Sequence, residues 1–221
     1  MAISDWFNEL PLHSHPFTKI VPNIAKKPKR PRIQRISLIT EHKIIDDPLA
    51  ETVKRCQSGQ SSAQHDLYEA CQHDIFGLMV RMVGRQDAAD VSQQVFMQAF
   101  RKINQFQGQS KFKTWLYRLA VNESLQYLRK SKRQKQETLV HDPVDGRPTN
   151  QRRDEAKDLL EKALQKLEPL MRSIFLLKES QGLSYREIAE ATEIPEGTVG
   201  SRLNRARRQL RENLLELGWE E

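Results

Sequence analysis

The stretch from Leu183 to Leu214 constrains the fold most, because its pattern predicts two helices joined by a tight turn. Ser184 and Glu187 have the capping-box spacing that starts a helix. Pro195 disfavours the helical conformation in the residue before it, so the first helix must end before Ile194. The second helix has a buried side, marked by apolar residues at helical spacing: Val199, Leu203, Ala206 and Leu210.

The opposite side of this second helix is small, hydrogen-bonding or cationic, which fits the major groove of DNA. Arginine can pair bidentately with guanine, and asparagine with adenine. A solvated basic helix is the alternative, but the helix-turn-helix spacing of Ala189, the turn and Val199 favours DNA binding. The candidate DNA-contacting residues are Gly197, Thr198, Ser201, Arg202, Asn204, Arg205 and Arg208.

The charge balance agrees with an anionic partner, since the 221 residues carry a formal net charge of +7. Two cysteines, Cys56 and Cys71, are too few for a disulfide framework or a zinc site. We therefore expect no metal and no cofactor. No stretch has the apolar length of a membrane span or a signal-peptide core, which predicts a cytoplasmic protein without membrane insertion.

The first 45 residues differ in composition from the rest of the chain. Five prolines interrupt any long element there, and the segment Lys26–Arg35 is strongly basic. We expect residues 1–45 to form a disordered arm. The alternative is a salt-dependent phosphate contact made by the same basic segment.

Residues 46–133 predict a helical domain. Asp47 and Pro48 read as a cap and a first-turn proline, Gly84 as a helix end and Asp87 as the next start. Ser110 is placed to cap the last helix of this domain. The longest helix has a buried stripe at helical spacing: Leu67, Cys71, Ile75, Leu78 and Met82.

The last helix of this domain carries a polar and basic stripe, which can follow a phosphate backbone. Aromatic rings at its N-terminal end offer faces on which unpaired bases can stack, although Phe106, Phe112 and Trp115 could equally be core residues. The stripe consists of Trp115, Arg118, Asn122, Gln126, Arg129 and Arg133.

Residues 134–153 are polar and predict a flexible linker, and helical periodicity resumes over residues 154–221. The chain is therefore predicted to be all-α, with two small helical domains on a tether. Tethering two weak DNA-binding modules raises their effective concentration at one site.

Three segments resemble region 2 of bacterial sigma factors of the extracytoplasmic-function (ECF) type, which belong to the sigma-70 family as group IV. They are Asp87–Phe96, Phe106–Phe112 and Thr114–Asn122. Two further segments, Ser184–Ala189 and Ile194–Arg207, resemble region 4 of the same family. The resemblance covers about residues 48–215, with both motifs in the family's order.

The resemblance implies a promoter-specificity subunit of bacterial RNA polymerase, with region 4 reading the −35 element as duplex. It implies that Asp90, Gln93 and Phe96 dock on the clamp helices of the core polymerase. It further implies that the loop from Phe106 to Phe112, including Ser110, helps to capture a flipped base of the −10 element. Asn122 lies at a position that lines the family's pocket, and an anti-sigma factor is a common partner.

Three residues depart from the family's pattern. Gln94 stands where an acidic residue is usual, and Gly200 replaces a basic or polar residue of the recognition helix. Glu193 stands at a turn position often filled by glycine, where a left-handed backbone would cost about 1 kcal/mol.

Two other classes of protein remain open on the residues alone. A stand-alone helix-turn-helix regulator would bind paired half-sites as a dimer, although no dimerisation heptads are evident. A nucleic-acid-processing enzyme would need clustered carboxylates for metals, and the Asp46–Asp47 and Asp87/Asp90 pairs are better explained as helix caps. We therefore expect no enzymatic activity.

Overall fold

The computed structural model describes residues 47–137 and 151–219. Within these two ranges the chain is all-α, with eight α-helices and one short 3-10 helix. In chain order they are α1 (Ala50–Gln57), α2 (Ser61–Val83), α3 (Arg85–Lys102), the 3-10 helix (Ile103–Gln105), α4 (Phe112–Glu137), α5 (Gln151–Gln165), α6 (Pro169–Glu179), α7 (Tyr185–Thr192) and α8 (Glu196–Glu216). The expected N-terminal arm and most of the expected linker lie outside the described residues.

Helices α1 to α4 pack into an N-terminal bundle around α2. The buried stripe predicted for α2 is confirmed, since all five of its residues are at most 1% exposed. Gly84, with φ +96°, ends α2 and directly precedes α3. Since α3 begins at Arg85, Asp87 lies in its first turn rather than before the helix, which puts the predicted start two residues late.

The start of α4 differs from the prediction. The backbone N–H of Phe112 donates to the Oδ2 atom of Asp47 at 2.6 Å, across 65 residues of sequence. The hydroxyl of Ser110, the predicted cap, instead donates to the carbonyl of Lys111 at 3.4 Å. The cap is thus supplied by a carboxylate from a distant segment, which no local pattern could reveal.

Helices α5 to α8 form a C-terminal bundle, in which α8 packs on α5, α6 and α7. The capping box at the start of α7 is confirmed: Glu187 N–H donates to the Ser184 hydroxyl, and Ser184 N–H donates to the Glu187 carboxylate. Burial raises the pKa of Glu187, but the hydrogen bonds from Ser184 and the nearby Lys111 ammonium outweigh it and hold the pKa below its usual value.

The turn between α7 and α8 has a left-handed residue at the position where the resemblance makes glycine usual. Glu193 has φ 56° and ψ 38°. In the described ranges it is the only residue other than glycine with a positive φ. Pro195 directly precedes the first residue of α8. The turn therefore stores conformational strain that glycine would avoid.

The two bundles are in contact, through α4 against α7 and through α2 against α5 and α6. Arg172, which is 4% exposed, makes one of the contacts of this interface. Its guanidinium donates to the carbonyls of Met82 in the N-terminal bundle and of Gln165 and Leu167 in its own bundle. Burial lowers the pKa of Arg172 to about 10, so the charge is held by carbonyl dipoles.

We expect the free energy of unfolding of Glu193→Gly to be about 1 kcal/mol higher than that of Glu193→Ala, because only glycine relieves the left-handed strain. Both variants lose the side-chain carboxylate, so its exposed ion pair with Arg118 cancels from the comparison. Urea unfolding followed by circular dichroism measures the difference. Equal stabilities of the two variants would show that the turn stores no strain.

Candidate nucleic-acid interface

Helix α8 presents one buried face and one open face. Val199, Leu203, Ala206 and Leu210 are at most 1% exposed and pack into the C-terminal bundle. The seven predicted DNA-contacting residues of this helix are all exposed or half-buried. The sequence thus separated the two faces correctly, because burial follows helical spacing.

The arginines of α8 fall into two groups. Arg207 donates to the carboxylate of Glu179 on α6, at 2.5 and 3.1 Å, and so holds the helix to its own bundle. In the described part of the chain, no carboxylate lies within ion-pair distance of Arg202, Arg205 or Arg208. These three cations are available for an external anion.

One departure from the family's pattern has a structural explanation. A Cβ atom added to Gly200 would lie 3.4 Å from the ring of Tyr185 on α7. This position of α8 is therefore turned toward α7, and an added Cβ atom would be in van der Waals contact with the ring. The missing side chain makes room within the helix-turn-helix.

A second open surface follows α4. Trp115 and Asn122 are half-buried, while Arg118, Gln126 and Arg129 are exposed. The Arg129 guanidinium also donates to the carbonyl of Leu125, one turn earlier. The predicted polar stripe therefore lies along the surface of the N-terminal bundle and is not sealed beneath other side chains.

A crevice of about 460 Å³ lies at the N-terminal end of this stripe. It is bounded by the loop before α4, by the first turns of α4 and by α7. Its lining residues are Gln105, Phe106, Gln107, Gln109, Ser110, Thr114, Trp115, Arg118, Arg186 and Glu190. Asn122 is one turn beyond Arg118 and is not among them, although the resemblance implied that it lines a pocket.

Three aromatic rings meet beside the crevice, and they have different roles. Phe106 lies 5.4 Å from Trp115 and 5.7 Å from Phe112 between ring centroids. Phe112 is only 2% exposed, so the expectation that it offers a stacking face is wrong and its ring is a core residue. Phe106 and Trp115 are half-buried and line the crevice, where a planar ligand can reach them.

The far wall of the crevice belongs to the C-terminal bundle. Arg186 and Glu190 come from α7, and Glu193 at the end of that helix accepts from the Arg118 guanidinium at 2.5 Å. Lys111 lies 3.5 Å from the carboxylate of Glu187. Helix α7 therefore closes one side of the crevice, and sequence reasoning did not identify Arg186 or Glu190.

The three residues predicted to contact polymerase lie on α3, and two of them are accessible to solvent. Asp90 is exposed and Gln93 is half-buried. Phe96 is 7% exposed and packs against Tyr68 at 4.8 Å and Phe100 at 6.2 Å between centroids, so it supports the surface from beneath. Its expected role as a direct contact conflicts with this burial.

Helix α3 also meets α4 through a tyrosine. Burial raises the pKa of Tyr127 to about 12. A hydrogen bond to Asp87 and the negative charges of Asp87 and Asp90 add to this effect. The two carboxylates therefore face a neutral phenol. Their interpretation as helix caps is wrong, because the N-cap residue of α3 is Gly84 and no side chain caps it. Asp87 lies in the first turn, where the helix dipole favours its charge.

Among the described residues, no group of three or more histidine, cysteine, aspartate or glutamate side chains is arranged to hold a metal ion. No helix in the described ranges is long and apolar enough to cross a membrane.

Two segments of the chain match known protein families. Residues 67–134 match the family described as Sigma-70 region 2, and residues 157–210 match the family described as Sigma-70, region 4. The region 2 match falls on the N-terminal bundle, and the region 4 match falls on the C-terminal bundle.

Full-length relatives cover both segments together. The ECF RNA polymerase sigma-E factor of Haemophilus influenzae is 34% identical over 171 residues, which cover 72% of this chain and 90% of the relative. The RNA polymerase sigma-H factor of Pseudomonas aeruginosa is also 34% identical over 171 residues, which cover 71% of this chain and 89% of that protein.

Solved structures share the fold. The sigma factor RpoE of Bartonella quintana, crystallised with the anti-sigma factor NepR, matches with a TM-score of 0.57 and 25% identity, covering 70% of this chain and 98% of that one. CnrH, solved in complex with the cytosolic domain of CnrY, matches with a TM-score of 0.56 and 20% identity. The match covers 76% of this chain and 97% of that chain. With two family matches in order and relatives at 34% identity over most of their length, the chain belongs to the extracytoplasmic-function family of sigma-70 factors.

Proposed function

We propose that this sigma factor binds core RNA polymerase and directs it to promoters by reading two elements in two different states. The C-terminal bundle reads the −35 element as duplex, and the N-terminal bundle holds a melted strand of the −10 element. The observation that carries this proposal is the presence of two open polar surfaces on two different bundles, one along α8 and one along α4. The protein itself catalyses no reaction and acts in the compartment of the polymerase.

The −35 surface is the open face of α8. Arg202, Arg205 and Arg208 have no ion-pair partner in the described ranges. Together with the exposed Asn204, they supply the donors and acceptors that read base edges in the major groove. Gly197 and Thr198 lie in the first turn, where the small side chain and the positive end of the helix dipole favour a phosphate. The face pointing the other way is occupied by core packing and by Arg207.

The −10 surface is the wall of the crevice that belongs to the N-terminal bundle, together with the stripe that continues from it. The opposite wall, on α7, moves away when the bundles separate. A single-stranded base needs a flat face for stacking and polar groups at its edge, and the crevice offers Phe106 and Trp115 beside Ser110, Thr114 and glutamine side chains. Along α4, Arg118 and Arg129 can follow the phosphates of the same strand, with Asn122 and Gln126 between them.

The polymerase-docking surface is the exposed side of α3 around Asp90 and Gln93. Gln94 is also exposed there, so this surface carries one negative charge fewer than the family's pattern. The buried ring of Phe96 sets the position of this surface through its packing on Tyr68 and Phe100.

The two bundles must separate to engage both elements. The elements lie about 25 base pairs apart, which is about 85 Å of duplex at roughly 3.4 Å per base pair. In the structure the end of α7 is in direct contact with Arg118, so the two surfaces are adjacent. Residues 138–150 connect α4 to α5, and a chain of this length can span on the order of 45 Å when extended.

An anti-sigma factor is a further candidate partner. The matched Bartonella quintana sigma factor was crystallised with one, and its structure covers 70% of this chain. A protein that held the two bundles together would keep both promoter surfaces from acting at once.

Run-off transcription tests the proposed function. Core RNA polymerase supplied with the full chain and a genomic promoter library is expected to start transcription at discrete sites that core alone does not use. The free chain is expected to bind the same promoters poorly, because each surface is small on its own. Tight, specific binding by a free dimer without core-dependent starts would instead favour a stand-alone helix-turn-helix regulator.

Replacing Arg205 with alanine is expected to cost about 1–3 kcal/mol of discrimination at one −35 base pair if the side chain reads that base. Arg207→Ala is the matched control, since it makes the same change on the same helix at a residue bound to Glu179. Transcription from promoters randomised through the −35 element measures both variants. An equal loss on every sequence would show that Arg205 contacts only phosphate.

A further inference from the structure

Helix α1 lies against the segment that leads into the crevice, yet none of its residues lines the crevice. The loop concerned, residues 106–111, runs from the 3-10 helix to the start of α4. Helix α1 also precedes the residues that match the region 2 family, which begin at 67. Its contribution to the site is made through hydrogen bonds to the loop and to the start of α4.

The first end of the loop is held by Gln57, the last residue of α1. Its Nε2 atom donates to the carbonyl of Ile103 and to the carbonyl of Phe106, both at 2.9 Å. A primary amide has two N–H donors, so both are used on this one segment. Phe106 is at once an acceptor of Gln57 and a wall of the crevice.

The second end of the loop is held by Asp47, just before α1. One carboxylate oxygen accepts from the backbone of Leu49 at 3.0 Å, and the other accepts from the backbone of Phe112 at 2.6 Å. Charge-assisted hydrogen bonds of this kind are stronger than neutral ones, and a negative charge at the start of α4 also favours the helix dipole.

We propose that Gln57 and Asp47 are positioning residues that fix both ends of the 106–111 loop and so shape the N-terminal wall of the crevice for a base of the melted −10 strand. Neither residue contacts the DNA. Between the two fixed ends the chain turns at Gly108, which has φ +71°. This inference rests on the proposed function of the crevice.

The physical advantage is preorganisation. A loop that is ordered before binding does not lose conformational freedom when the DNA arrives, so more of the contact energy appears as affinity. The rings of Phe106 and Trp115 must also keep a fixed separation, 5.4 Å between centroids, for the crevice to keep its shape. Releasing the Phe106 carbonyl would let that ring move.

The decisive variant is Gln57→Glu, which has nearly the same shape but turns a double donor into a carboxylate facing two carbonyls. The matched control is Gln60→Glu, which makes the same change three residues away. Gln60 is exposed and accepts from Arg55, a role that a carboxylate retains. Asp47→Asn and Asp47→Ala form a second pair, in which asparagine keeps one acceptor oxygen and alanine keeps none.

Reconstituted holoenzyme is measured with two DNA probes taken from a promoter that it transcribes. One is a forked DNA with a single-stranded −10 element, and the other is a duplex carrying only the −35 element. We expect Gln57→Glu to bind the forked DNA about 10-fold more weakly or worse, as for the loss of buried hydrogen bonds. Its binding to the −35 duplex and to core polymerase is expected to change less than about twofold, since the surfaces proposed for these partners lie on other helices, α8 and α3. Asp47→Asn is expected to lose less than Asp47→Ala.

The outcomes separate the possibilities. Binding of the forked DNA by Gln57→Glu that equals the Gln60→Glu control would overturn the inference, as would an equal loss on both DNAs and on core polymerase. If Gln57→Glu does not fold, Gln57→Ala removes both donors without burying a charge and carries the same expectations. A wild-type holoenzyme that shows no preference for the single-stranded −10 element would refute the proposed function itself.

Discussion

The buried guanidinium of Arg172 joins the two bundles by a hydrogen bond to the carbonyl of Met82. It donates to carbonyls at the carboxyl ends of α2 and α5, where helix dipoles favour a cation. Two of its three acceptors belong to its own bundle, so separation of the bundles breaks one hydrogen bond and returns the guanidinium to water. The other contacts between the bundles include exposed ion pairs, such as Arg118 with Glu193, worth about 0–1 kcal/mol each. They also include a part-buried hydrogen bond from the Tyr117 hydroxyl to Gln181. Polar contacts of this kind specify one closed arrangement and still allow it to open.

The two promoter surfaces are built in different ways, and this difference follows from what they bind. The −35 surface is one face of a rigid helix, held by its own apolar stripe and by Arg207, because duplex DNA offers a regular groove. The −10 surface is a loop joined to a helix, because an extruded base needs a concave site. A loop has no hydrogen-bond ladder of its own, so its shape has to be supplied by other elements. Asp47 and Gln57 supply it from α1.

Local patterns in the sequence predicted much of this structure. The stripe of α2 and the capping box of Ser184 depend on residues within four positions of each other, and both were predicted correctly. The turn position of Glu193 was singled out by the resemblance to the family, and its backbone is left-handed. The hydrogen bond from Phe112 to Asp47 joins residues 65 apart, and no local signal identifies it. Phe96 and Phe112 recur at helical spacing beside exposed neighbours, so the pattern alone did not decide whether they were surface or core. The contact between α4 and α7 was also missed, because the linker pattern indicates a tether and carries no information about how the bundles dock.

The central claim is that the two bundles lie together in the free chain and move apart when they hold a promoter. Spin labels on engineered cysteines at His73 of α2 and Glu212 of α8, both exposed, report the distance between the bundles, while the native Cys56 and Cys71 are buried and react slowly. Pulsed electron paramagnetic resonance on the free chain is expected to give one short distance that agrees with the closed structure. In the complex with core polymerase and promoter DNA, the distance is expected to lengthen by tens of ångströms. A distance that stays the same in the active promoter complex would contradict the account.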